Sequence, residues 1–366
     1  MNIICIIGTR PEAIKMAPII LEFQKNKKIN LNVVLTAQHR ELVDDVLKIF
    51  HIKPDFDLNL MTPNQSLSDL TSILIRELSI IFSNIKPSIV IAQGDTTSVL
   101  ASALCSFYQK IPFAHIEAGL RTENLYSPYP EEGNRRLISS ISTYNFCPTI
   151  FNVENLVSQK VPKKKIFLVG NTVVDALFLV KNRSKKKVNK NAMHTKRVLI
   201  TCHRRESFGK PLNNILEAII FLVKNFHELE VIFPVHPNPN VLKVVKEKLS
   251  NIKNVKLINP QPYDKFIHLM ESSFFIISDS GGVQEEASVL GKPILIIRND
   301  TERVEVTKNG IGKIIGTSQK NIIKFASLLL ENKEFYDSMA NSKSALLYGN
   351  GKSASKICKK IYSLID

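Results

Sequence analysis

Acidic residues in the first half of the chain stand where apolar runs end or amphipathic segments begin. Asp95 lies in Gly94-Asp95-Thr96-Thr97 after the run at 89–93, and Glu117 directly follows the run at 113–116. Glu131 sits in Pro130-Glu131-Glu132-Gly133. Taken singly, Asp95 reads as a helix N-cap, and Glu131 as a first-turn acid that balances a helix dipole. A carboxylate at the end of a buried strand, as at Glu117, is costly unless it is paired or used. Together these carboxylates suit proton transfer. Their mutual repulsion is expected to raise at least one pKa toward neutrality, where a general base works best.

Cations and glycines follow other runs. After the first comes Gly8-Thr9-Arg10-Pro11-Glu12-Ala13-Ile14-Lys15. Gly8 permits a tight turn and Pro11 suits the first helical position. Arg10 and Lys15 add cations beside a helix N-terminus, which already favours anions. A surface turn with solvated basic residues fits the same segment. It has neither the GxGxxG of a dinucleotide site nor the GK[ST] of a P-loop, which weakens NAD and ATP readings. In the second half, His203 follows the run at 197–201, in Cys202-His203-Arg204-Arg205. Its cationic neighbours are expected to lower its pKa, and it reads either as a satisfied structural histidine or as a donor to phosphate. Further on, Asp279-Ser280-Gly281-Gly282 leads into a helical stretch. The glycines let backbone N–H groups approach a phosphate closely, and Ser280 adds a hydroxyl. Glu286 lies one turn inside that helix, placed to accept ribose hydroxyls.

The elements that must position these residues alternate from end to end. Strand candidates at 3–7, 32–36, 88–93, 113–116, 166–169, 197–201, 230–235, 274–278 and 294–298 are short unbroken apolar runs. Amphipathic stretches such as 11–24, 41–50, 67–82, 96–109 and 214–225 lie between them. This pattern predicts an α/β chain with doubly wound parallel sheets, whose strands are buried on both faces. In such sheets ligands sit beyond the carboxyl ends of the strands, which is where the chemistry-bearing residues fall. The polar, basic segment 181–197 reads as a flexible surface stretch just inside a second α/β domain. The expected division is a first domain over 1–169, a second over 170–351, and a terminal helix over 352–366. Two similar domains facing each other would create a cleft.

Composition narrows the function classes. The 366 residues are 44% hydrophobic and 22% charged, an ordinary globular balance that excludes a disordered or collagen-like chain. No apolar run approaches the roughly 20 residues that span a bilayer, and the apolar start ends at Gly8 with no basic leader before it. A cytoplasmic protein without membrane insertion is expected. The five cysteines are scattered singly, as packed or idle thiols would be. The net charge of +16 comes largely from lysine clusters without interleaved aromatics. That argues against nucleic acid and suits an anionic small substrate.

With these motifs together, the chain closely resembles the non-hydrolysing UDP-N-acetylglucosamine 2-epimerases. The matching segments include GTRPEAIKMAP (8–18), QGDTTSVLASAL (93–104), HIEAGLRTENLYSPYPEEGNRRL (115–137), HRRESFG (203–209) and SDSGGVQEEASVLGKP (278–293). The resemblance runs over roughly residues 3–316. It implies two Rossmann-like domains facing a cleft, of glycosyltransferase-B type, with the C-terminal helix returning to the first domain. The stretch LRTENLYSPYPEE is similar to the GlcNAc-type enzymes rather than to those acting on uronic-acid nucleotides. In TERVEV (301–306), Val304 and Val306 stand where the family has proline and alanine, which is expected to loosen the loop carrying Arg303.

The resemblance implies reversible inversion of C2 in UDP-N-acetylglucosamine (UDP-GlcNAc), giving UDP-N-acetylmannosamine (UDP-ManNAc). Elimination of UDP to a 2-acetamidoglucal and re-addition carry the reaction, which supplies ManNAc for surface polysaccharide. Asp95, Glu117 and Glu131 are the implied acid/base groups. His203, Arg10, Lys15 and the turn Ser280-Gly281-Gly282 would stabilise departing UDP. Gln261 and Phe266 match positions near uracil and ribose, Glu286 the ribose, and Arg303 the nucleotide region. No NAD and no obligatory metal is implied. Some bacterial members bind a second UDP-GlcNAc as activator beside the segment matching Gln38 and His39, which reads equally as a helix-start cluster. Family members commonly form homodimers. A UDP-sugar-dependent glycosyltransferase of the same fold, or a non-catalytic UDP-sugar sensor, are the alternative functions.

Overall fold

Apolar and β-branched runs of the sequence become strands whose neighbours are all parallel. The structure, a computed structural model, describes residues 1–36, 40–61, 65–183, 196–202, 204, 208–340 and 347–365. They form two compact units: Met1–Val180 with Tyr348–Asp366, and Lys181–Leu347.

The first unit holds a seven-stranded sheet in the order β3-β2-β1-β4-β5-β6-β7. Its strands are β1 (Asn2–Ile7), β2 (Asn30–Leu35), β3 (Phe56–Asp57), β4 (Ile89–Gln93), β5 (Phe113–Ile116), β6 (Tyr144–Cys147) and β7 (Ile166–Leu168). One face of the sheet, with Ile4, Ile6, Val34, Val90 and Phe113, packs against Leu74, Leu78 and Phe82 of the helix Leu67–Ile85. Helix Arg10–Gln24 meets the terminal helix Ser353–Ile365, where Phe23 and Tyr362 stand edge to face at 5.8 Å. Because both faces are covered, the sheet strands can be apolar throughout.

The second unit repeats the design with a six-stranded sheet in the order β10-β9-β8-β11-β12-β13. These strands are β8 (Lys196–Thr201), β9 (Leu229–Pro234), β10 (Val255–Ile258), β11 (Phe275–Ser278), β12 (Ile294–Ile296) and β13 (Gly312–Ile314). Val198, Ile200, Val231, Phe233, Phe275 and Ile277 pack with Leu212, Ile215 and Ile219 of the helix Lys210–Asn225. In both sheets the strand order reverses beside the first strand of the unit, between β1 and β4 and between β8 and β11. Doubly wound folds bind ligands at such switch points. The turns there carry Gly8–Arg10, Gly94–Thr96, Cys202 and Arg204, and Asp279–Gly282. The fold class read from the sequence, two doubly wound α/β units, is the one observed.

The division between units falls later than the sequence suggested. Residues 170–180 belong with the first unit because Asn171 donates its backbone N–H to Tyr348 O at 2.7 Å. In addition, the Asp175 carboxylate accepts from the N–H groups of Ser353 and Ala354 at 3.2 and 3.0 Å. Those are buried donors of a helix start, which have no partner within the helix, and the carboxylate both satisfies them and favours the helix dipole. Of the stretch 181–197, helix Thr172–Arg183 and β8 take the two ends. Residues 184–195 lie outside those described. All five cysteines are buried with their thiols reduced. Among the described residues, no helix is long and apolar enough to cross a membrane.

Replacing Asp175 with alanine should lower the stability of the first unit by about 1–2 kcal/mol. Amide exchange across residues 353–365 should accelerate more than across β1. Unchanged exchange in that helix would show that Asp175 does not anchor it.

Candidate active site

Asp95 follows β4 in a turn that neighbouring elements grip from several sides. Gly94 adopts φ +93, a left-handed value that glycine takes without strain. The Gly94 carbonyl accepts from His115 Nε2 at 2.7 Å, which fixes the donor nitrogen because a carbonyl has no proton to give. Burial pushes the pKa of His115 down to about 4, so the ring is neutral near pH 7. Asn134 Nδ2 donates to the Asp95 carbonyl at 2.8 Å. The Asp95 side chain, 23% exposed, accepts from Arg135 Nε and Nη2 at 2.8 and 2.7 Å through Oδ2. Arg135 comes from the helix Glu131–Ile141, with Glu131 as its first residue. Glu131 is half-buried, whereas its neighbour Glu132 is fully buried. Glu132 accepts from Arg135 at 3.2 Å, Arg136 at 2.8 Å and the Thr122 N–H at 3.0 Å.

Glu117, one residue past β5, has φ +63. A non-glycine residue in this region carries backbone strain and marks a position worth explaining. Its buried carboxylate accepts from Lys15 Nζ, Gln93 Nε2 and, at 3.1 Å, Asn171 Nδ2. The donors come from the helix Arg10–Gln24, from the end of β4 and from the segment before helix Thr172–Arg183. Gly119 completes the turn, since a Cβ there would lie 2.3 Å from the Asn152 carbonyl oxygen. Lys15, read from sequence as part of an anion seat, is thus ion-paired to Glu117 in the interior. The expected repulsion among acids gives way to cation pairing at both Asp95 and Glu117. Burial raises the nearby Glu12 carboxyl to about 7.

In the second unit, Ser280 is the N-cap of the helix Gly281–Val289 and its hydroxyl accepts from the Val283 N–H at 3.5 Å. A Cβ on Gly281 would come within 3.1 Å of the Arg303 guanidinium carbon. At Gly282 the nearest atom to such a Cβ is 4.0 Å away, so packing alone does not demand this glycine. Its absence of a side chain leaves the first helical turn bare, as an anion seat requires. Arg303 is held by Glu285 at 2.9 Å and Glu302 at 2.8 Å. Glu302 also meets Arg298 at 3.0 Å. These ion pairs, with the helix Val304–Lys308 starting next to Arg303, replace the loosened loop expected from Val304 and Val306. Arg303 therefore packs against the glycine turn at Gly281. The Arg204 N–H donates to buried Asp279 at 2.9 Å, joining the turns after β8 and β11. Glu286 is 5% exposed on the second turn of its helix. Gln261 bonds Asn259 O at 2.7 Å, and Phe266 is half-buried on the helix Tyr263–Ser272. His203, Gln38 and His39 lie outside the described residues. Among those described, no cluster of His, Cys, Asp or Glu is arranged to hold a metal ion.

The first unit thus brings Lys15 to Glu117, while the second gathers Arg303 under Gly281. Sequence reading passed over Gln93, His115, Asn134, Arg135, Asn171, Glu285 and Glu302. Arg135 lies one turn inside the helix that begins at Glu131, a spacing that could have flagged it.

Glu12 provides a stability test. Its folded pKa, about 7, exceeds the ordinary 4.5, so between these values the folded protein holds a proton that the unfolded chain has released. Its contribution to stability is fully present below pH 4.5 and falls as pH rises through 7. Glu12→Gln removes the titration. Urea unfolding should therefore show the variant gaining on the parent from pH 5 to 8, by at most ~3 kcal/mol. A pH-independent difference would rule out the buried titration.

The family model described as UDP-N-acetylglucosamine 2-epimerase matches residues 21–362. A Neisseria meningitidis UDP-N-acetylglucosamine 2-epimerase is 47% identical over 366 residues, with 98% of each chain covered. A crystal structure of UDP-GlcNAc 2-epimerase from Neisseria meningitidis bound to UDP-GlcNAc is 46% identical. It has a TM-score of 0.94 and covers 99% of this chain and 100% of that one. The Staphylococcus aureus MnaA structure with UDP is 38% identical at a TM-score of 0.93, covering 100% of this chain and 97% of that one. The chain belongs to the UDP-N-acetylglucosamine 2-epimerase family, a family of isomerases.

Proposed function

We propose that this chain interconverts UDP-GlcNAc and UDP-ManNAc by inverting C2. The observation that carries the reading is the pair of switch points: fixed carboxylates end the strands of the first unit, and a bare glycine turn follows β11 in the second. Direct removal of the C2 proton is prohibitive, because no ring carbonyl stands beside it. Breaking the C1–O bond solves this. As UDP departs, positive character at C1 acidifies the C2 hydrogen, and loss of that proton leaves a 2-acetamidoglucal. Protonation at C2 from the opposite face and re-addition of UDP at C1 complete the inversion.

Two faces require two proton carriers. Asp95 and Glu131 fill these roles in our reading, Asp95 supported by the Arg135 fork that holds its carboxylate in one orientation. Glu117, immobilised by Lys15, Gln93 and Asn171, is suited to holding sugar hydroxyls or relaying a proton. In the second unit, the N–H groups of Gly281 and Gly282 and the Ser280 hydroxyl would receive the diphosphate, with His203 adding a donor; Arg10 is assigned to the charge of departing UDP. Such donors aimed at developing charge are the largest single source of rate in many enzymes. Glu286 is assigned to the ribose, and Gln261 and Phe266 to the base. Arg303 acts through the glycine turn. The product would supply ManNAc units for surface polysaccharide, made in the cytoplasm by a homodimer.

Proton NMR in D₂O with UDP-GlcNAc tests substrate and chemistry together. Deuterium at C2 appearing with UDP-ManNAc is expected. Free ManNAc with UDP would mean hydrolysis, and ligand broadening without exchange would mean a sensor. Asp95→Asn should still bind UDP but lose on the order of 10²–10⁴ in turnover. Normal turnover in that variant would retire Asp95 as a proton carrier.

A further inference from the structure

Glu12 is a buried carboxylate that the proposed reaction does not use, and it bonds to two separate turns. As the third residue of the helix Arg10–Gln24, it reaches back to the N–H of the N-cap, Thr9, at 3.3 Å, the carboxylate half of a capping box. The same oxygen accepts from the Gly8 N–H at 2.6 Å. Its other oxygen accepts from the Thr96 hydroxyl at 2.8 Å, 84 residues along the chain. Helix capping does not require that last bond.

Thr96 makes the point from the other side. It is the N-cap of the helix Thr97–Tyr108, where a threonine hydroxyl ordinarily accepts from its own helix, yet it makes no such side-chain cap bond. Its hydroxyl proton goes to Glu12 instead. Local capping has been exchanged for a tertiary link between the turns after β1 and β4, the strands at the switch point. Gly8 permits the closure, because a Cβ there would lie 2.8 Å from Ser98 Oγ, 2.9 Å from Thr36 Oγ1 and 3.0 Å from Glu12 Oε2. Arg10 immediately follows one end of this link, and Asp95 immediately precedes the other.

We propose that Glu12 is a positioning residue whose carboxylate clamps the Gly8–Thr9 turn to Thr96, so that Arg10 and Asp95 are presented in a fixed relation. The proposal rests on the functional reading above for its effect on turnover, but the clamp itself has an independent readout.

In Glu12→Gln, the amide oxygen can accept from Gly8 and Thr9 while its NH₂ donates to a Thr96 hydroxyl turned to accept. The clamp survives without its charge, so turnover should stay within about 3-fold of the parent. Glu12→Ala and Thr96→Val each break the link and should lower kcat for C2 exchange roughly 10–100-fold, the scale of a small misplacement. The double variant should be no worse than Glu12→Ala, because both changes remove one interaction. Amide exchange should quicken at residues 95–97 in Glu12→Ala and at Gly8 and Thr9 in Thr96→Val. A Thr96→Val enzyme with parental kcat, or losses that multiply in the double variant, would overturn the clamp. If the parent makes no UDP-ManNAc, the functional reading falls by itself. The clamp is then judged by exchange alone: unchanged protection at Gly8 and Thr9 in Thr96→Val overturns it, and loss of protection upholds it.

Discussion

A carboxylate taken out of water needs donors at its own oxygens, and that requirement organises the polar parts of both units. The central strands are buried on both faces, so these carboxylates collect beyond the strand ends. There the chain supplies partners one by one: Lys15, Gln93 and Asn171 for Glu117, Arg135 for Asp95, and Arg298 and Arg303 for Glu302. Removing one partner from such a set leaves a desolvated charge, so each network holds its members in one geometry. Rigidity of this kind is what acid/base chemistry on a sugar needs, because the reacting atoms must meet in a narrow range of distance.

The two units share one strand order but place different residues at its switch point. At the first switch point the turns carry acids, and Glu12, Asn134, Arg135 and His115 set the turn around Asp95. At the second, the turn after β11 carries glycines, and Arg303 packs against Gly281. Arginine suits that place because its planar fork can satisfy Glu285 and Glu302 while stacking close to a residue with no side chain. In the proposed reaction, the first unit moves protons and the second receives the anion.

Much of this was legible in the sequence, and the failures are physical. Short unbroken apolar runs revealed β1, β4, β8 and β11, the strands that flank both switch points. β6 was missed because Asn145 interrupts Tyr144-Asn145-Phe146-Cys147. β10 was missed because Lys256 breaks its run, and the two-residue β3 is too short to show a pattern. In the site, the strand-end carboxylates stood out by position alone. Their partners did not, because Lys15 lies 102 residues from Glu117 and Arg135 lies 40 from Asp95. Lys15 looked like an anion ligand for that reason: its local setting, a helix N-terminus beside Arg10, is basic, and only the tertiary fold brings Glu117 to it.

The division of labour between the units is the claim most exposed to experiment, and a crystal soaked with UDP addresses it directly. The diphosphate should lie against the backbone N–H groups of Gly281 and Gly282, with Arg303 still paired to Glu285 below. Diphosphate density remote from that turn would contradict the account.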